Sequence, residues 1–178
     1  MPELTVGSEE HKSLFCRHFI DTHHRYEVRD IRWPDLDEAD VQRLRAMPFW
    51  DEAVQSEATA AARVRAMADV EPDALLREAI AMQAYEEERH AALLESLTQR
   101  YGIAVGEGRP PAPRDAEWAF LRMGYGECFD SFFAFGLFRL SADTGLFPEP
   151  LVRLFDGVTP WFSMRHPTEG SAYRLVTR

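Results

Sequence analysis

The chain has 178 residues, enough for one domain with a substantial buried core. Ala, Leu, Arg and Glu dominate and strand signals are weak, so the expected class is all-α. Against 30 acidic residues stand 20 basic ones, and the net charge of −10 argues against a nucleic-acid or anionic-membrane partner.

No apolar run approaches a membrane span. The richest, FDSFFAFGLF at 129–138, is too short and carries Asp130. The start, MPELTVGSEEH, lacks the basic-then-apolar order of a secretory leader. Cys16 and Cys128 are two and far apart, which favours reduced thiols and a cytoplasmic setting over a disulfide.

Ser8 followed by Glu-Glu-His marks a helix start, and 9–22 places Leu14, Phe15, Phe19 and Ile20 on a narrow apolar face. His11, His18, His23 and His24 share this segment without a carboxylate partner at helical spacing, so they read as structural or exposed. Trp33-Pro34 is an extended entry to a short helix over 35–45, stopped by Pro48. These N-terminal helices, 1–47, are expected to brace a main body over 48–166.

A first long helix is expected from Pro48 to Asp69. Its face of Trp50, Val54, Ala61, Val64 and Ala68 is apolar and interrupted only by Glu57. Val70 to Asp73 forms a tight turn, with Pro72 opening a second helix that runs to Tyr101 and ends at Gly102. Some thirty residues at helical rise span about 45 Å. Its stripe, Leu76, Ile80, Gln83, Glu87, His90, Leu94 and Leu97, holds a carboxylate and an imidazole one turn apart. Glu-x-x-His by itself is also compatible with a simple ion pair. So short a turn requires an antiparallel hairpin, which places Glu57 and Glu87 at the same height. That coincidence favours a shared site.

GIAVGEGRPPAPR, 102–114, is the single long Gly/Pro-rich connection and the natural crossover between two helical pairs. A third long helix, from 114–117 to 141, carries the stripe Phe120, Gly124, Glu127, Ser131, Ala134 and Phe138. Glu127 again interrupts an apolar face. The aromatic cluster Phe129, Phe132, Phe133 and Phe135 reads as core or as a subunit interface, hence a possible homodimer. Pro148 opens a fourth helix that should kink near Pro160 and stop at His166, before Pro167. The remaining 167–178 looks irregular.

Glu57 precedes Glu87 by 30 residues, and Glu127 precedes Ser163-Met164-Arg165-His166 by 36. Four helices in a row thus carry a polar residue at mid-stripe. One Glu from each of two helices plus Glu-x-x-His from each of the others is the ligand rule of ferritin-like dimetal carboxylate bundles. On these residues, and on LFCRHFIDTH, EEERHAALL and GECFDSFFAFGLF, the chain to about residue 158 resembles the ferritin-like superfamily. It is most similar to bacterial ferritin-like proteins of the diiron-oxygenase type.

The resemblance implies an antiparallel four-helix bundle with a long crossover. It implies iron as cofactor, with manganese as the alternative, and metal ligands Glu57, Glu87, His90, Glu127 and His166. Glu87 would bridge two ions, with Glu57 and His90 on one side and Glu127 and His166 on the other. It further implies O2 activation to oxidise a small-molecule substrate. Ser163 departs from the pattern, standing where the family has a glutamate. A serine hydroxyl is a poor ligand for a hard dication. An out-of-register C-terminus and a degenerate natural site both account for that, and either leaves one ion better held than two. The alternatives are a bundle that binds metal without catalysis, and a structural domain whose buried acids pair with Arg89 and Arg165.

Overall fold

The computed structural model describes residues 4–23, 26–106, 108 and 110–158; the side chains of 128–135, 137–139, 141–142 and 156–158 are not described. Among the described residues the chain is helical throughout, with no strand. No described helix is long and apolar enough to cross a membrane.

Helix α1, Glu9–Thr22, starts as the sequence indicates, with the Ser8 hydroxyl accepting from the His11 amide. A single 3-10 turn at Val28–Asp30 leads to α2, Glu38–Arg45. This helix begins three residues later than the expected Asp35. Asp37 supplies the cap by accepting from the Asp40 amide at 2.8 Å, a bond that Asp35 is too early to make. Helix α3 spans Trp50–Val70 and α4 spans Ala74–Tyr101. Neither opens on its proline. Pro48 lies in the turn before α3, and Asp73 rather than Pro72 caps α4 by accepting from the Leu75 and Leu76 amides. Gly102 ends α4 at φ 61°, the left-handed geometry that glycine adopts at no steric cost.

Helices α3 and α4 form the antiparallel hairpin. Trp50 packs with Leu97 at the open end, Glu57 faces His90 midway, and Val64 meets Ala84 and Ile80 nearer the turn. The crossover runs back along α3. Ile103 is buried beside Trp50, and the Gly106 amide donates to Asp51 at 2.6 Å. A Cβ at Gly106 would meet that carboxylate oxygen at 2.9 Å, so the close approach depends on glycine. Helix α5, Ala116–Thr144, then packs against α3, with Phe120 and Met123 on Ala60 and Val64. It ends beside the start of α3, where Arg43 donates to the Gly145 carbonyl at 2.7 Å. Thus α5 is antiparallel to α3 and parallel to α4.

Two details of α5 differ from expectation. Met123, not Gly124, continues the buried stripe; Gly124 is exposed, with nothing near a Cβ built on it. Phe120, Met123 and Glu127 follow the three-then-four spacing, and this face turns toward α3 because Met123 fills the gap left by Ala60 and Ala84. The aromatic cluster at 129–135 falls among side chains that are not described. Helix α6, Glu149–Val158, seats Leu151 and Phe155 on Leu93, Leu97 and Trp50. The expected kink at Pro160 and stop at His166 lie outside the described residues.

The N-terminal elements are stapled across α4. Trp33 Nε1 donates to the Ser96 hydroxyl at 2.9 Å, and the Tyr101 hydroxyl to the Pro34 carbonyl at 2.8 Å. Arg45 donates to the Tyr101 carbonyl at 2.8 Å and satisfies one of the acceptors that a helix end leaves open. On α1, Lys12 reaches Asp73 at 2.8 Å and ties that helix to the hairpin turn.

Ala84 has no exposed surface where α3, α4 and α5 converge. Overpacking this point with Ala84→Leu should lower unfolding stability by about 1–3 kcal/mol, measured as a fall in the urea midpoint.

Candidate metal centre

The sequence EEERH puts three glutamates in a row on α4, and successive residues project about a third of a turn apart. Each consequently finds a different partner. Glu86 takes the buried guanidinium of Arg89. Glu88 pairs with Arg65 of α3 at 2.8 Å near the surface. Glu87, between them, turns into the α3–α4 seam and meets His90 and Glu57.

His90 Nδ1 lies 3.5 Å from Glu87 Oε2 and 3.6 Å from Glu57 Oε2. One ligand atom from each of the three residues falls within 4.8 Å of the others, close enough to share a metal ion. The Glu87 side chain is 11% exposed, His90 26% and Glu57 32%, so the group is sheltered yet reachable. Buried Ala60, Ala61, Ala84 and Ala91 around it allow the two helices to approach closely.

Burial opposes a charge on His90, but the carboxylates of Glu57 and Glu87 outweigh it and raise the imidazole to about 10. At neutral pH the metal-free group therefore holds an imidazolium between two carboxylates. A folded value above the usual 6.5 means that this charge stabilises the fold below pH 6.5. The contribution fades as pH rises toward about 10.

Of the five expected ligands, the structure brings together Glu57, Glu87 and His90. Glu127 is not within ligand distance of that group; it lines an open cleft of about 360 Å³ between α3 and α5 that Glu57 also lines. His166 and Ser163 lie outside the described residues. Arg89 pairs with a buried acid, as the structural alternative expects, and that acid is Glu86. Arg89 also donates to the Tyr26 carbonyl at 3.3 Å and stacks 4.1 Å from the centre of the Tyr26 ring. Sequence reasoning did not name that acid, although Glu86 and Arg89 stand at helical pair spacing. His11, His18 and His23 take no part in the group, and His24 lies outside the described residues. His11 accepts from the Gly7 amide at 3.2 Å, and His23 lies 2.8 Å from the Ile20 carbonyl.

Comparison with protein-family models, with curated proteins and with solved structures finds no match in any of the three.

A dication at this group must displace the His90 proton. Zinc binding at pH 7 should release about one proton per ion, and affinity should rise about tenfold per pH unit up to the titration of His90. Calorimetry in buffers of differing ionisation enthalpy counts the protons, and His90→Ala should abolish the release.

Proposed function

We propose that this chain is a ferritin-like metal-carboxylate bundle that holds iron and activates O2 to oxidise a small organic substrate. The observation that carries the reading is the convergence of Glu57, Glu87 and His90 from two helices at one height of the hairpin. The chemistry of the donors fits: carboxylates are hard and anionic, and an imidazole suits iron, manganese and zinc. Three protein donors leave open positions for small molecules on an ion. The long crossover and the α5 direction agree with the helix order of such a bundle, with α3, α4, α5 and α6 as its four helices.

Glu57, Glu87 and His90 would hold one ion in this reading. A second would rest on Glu127, across the cleft from Glu57, and on His166. Iron in this position would supply the electrons for dioxygen reduction. The protein's own part is to keep the donors in place. The Trp50–Leu97 cluster on one side and the Ala84–Met123 cluster on the other fix the spacing of α3 and α4. His90 would bind the ion only after yielding its proton to solvent, because Glu57 and Glu87 serve as ionised ligands of the same ion.

A second reading has an observation of its own. An imidazolium at 3.5–3.6 Å from two carboxylates is an ion triad in which His90 offsets the repulsion between Glu57 and Glu87 with no metal. The two separate on anaerobic reconstitution with Fe(II). The metal reading predicts about one tightly held iron per chain, lost in Glu87→Gln and in His90→Ala, with O2 uptake that requires iron. No retained iron would leave the triad as the sole role of these residues.

A further inference from the structure

The cleft beside the candidate metal centre also contains two arginines. Arg63 of α3 and Arg122 of α5 line it together with Glu52, Glu57 and Glu127. Neither guanidinium makes an ion pair or a hydrogen bond with a described residue. Arg63 and Arg122 share the cleft with three glutamates and close on none, whereas Arg65, Arg89, Arg100 and Arg153 each pair with a nearby carboxylate. A guanidinium beside carboxylates ordinarily does so, because its planar fork matches two oxygens at once. Two cations left open on facing helices of one cleft are groups available to a ligand.

The size and lining narrow the ligand class. About 360 Å³ is at the small end for small-molecule sites. Met123 and Ala60 supply an apolar wall between the charged groups. Glu57 is common to the cleft and to the three-residue group on α3 and α4, so a ligand in the cleft lies next to the centre.

We propose that the α3–α5 cleft binds a small organic anion, its carboxylate or phosphate held by Arg63 and Arg122 and its apolar part against Met123, facing Glu57. This assigns a substrate class to the oxidation proposed above and rests on that reading for its chemistry. The binding itself does not depend on it. The acids along the cleft work against any anion, so selectivity for one must come from the two arginines.

The test uses the full chain equilibrated with Zn(II), and again without metal. Benzoate, phenyl phosphate and neutral benzyl alcohol are titrated by calorimetry or NMR against the parent and against Arg63→Gln/Arg122→Gln. At least one anion should bind the parent at least tenfold more tightly than benzyl alcohol. The double variant should remove that margin and leave the alcohol unchanged. The better anion tells a carboxylate from a phosphate ligand. Equal affinity for anion and alcohol in the parent overturns the proposal without any variant, and so does an arginine variant that keeps the anion's advantage. Metal content is measured on the same samples. A parent without metal ends the oxidation reading, and the metal-free titrations still decide this one.

Discussion

Two glutamates face each other across the seam of a helical hairpin, and the rest of the molecule is arranged so that this is tolerable. Carboxylates taken partly out of water lose solvation and repel each other, a cost of several kcal/mol per unpaired charge. His90 offsets it by standing between them, and a dication would offset it further. Neither device works unless α3 and α4 are close and fixed. Alanines at 60, 61, 84 and 91 allow the approach. The aromatic cluster around Trp50 and Leu97 clamps one end of the seam, and Val64, Ala84 and Met123 fill the other.

The charges of α4 are partitioned by helical geometry. Glu86 and Arg89 face the N-terminal segment, where Tyr26 covers the guanidinium; Glu87 and His90 face α3; Glu88 meets Arg65 near the solvent. Because Glu86 and Glu88 each have a cation, neither competes for His90. That leaves Glu87 and Glu57 as its partners, and the raised proton affinity of His90 follows. The N-terminal elements therefore do more than brace the hairpin. By burying Arg89 with Glu86, they separate a structural ion pair from the candidate metal centre on the neighbouring face of the same helix.

Much of this was legible from short-range rules. Ser8 and Gly102 mark helix ends because a capping hydroxyl and a left-handed residue have few substitutes, and both hold. The equal height of Glu57 and Glu87 followed from counting residues on either side of a short turn. Where several residues compete for one role, the sequence was ambiguous. Asp35 and Asp37 are both good caps, and Pro72 and Asp73 are both good openers; the backbone took the one whose side chain could reach a free amide. The choice between Met123 and Gly124 depended on the shape of the neighbouring helices, which no single-helix pattern contains. Arg89 was expected to pair with a buried acid without one being named, and that acid is Glu86, one turn before it on α4. His166, expected from the sequence as the histidine of a second half-site, falls beyond the described residues, so the expected symmetry of two half-sites rests on sequence alone.

The central claim is that the seam of α3 and α4 is a place for a metal ion and not only an internal ion triad. Anomalous diffraction from crystals soaked in Mn(II) addresses it at atomic level, independently of turnover or substrate. The account predicts an anomalous peak between the Glu57 and Glu87 carboxylates and His90, with the imidazole turned so that a ring nitrogen faces it. An empty seam at saturating Mn(II), with His90 still between the two carboxylates, would contradict it.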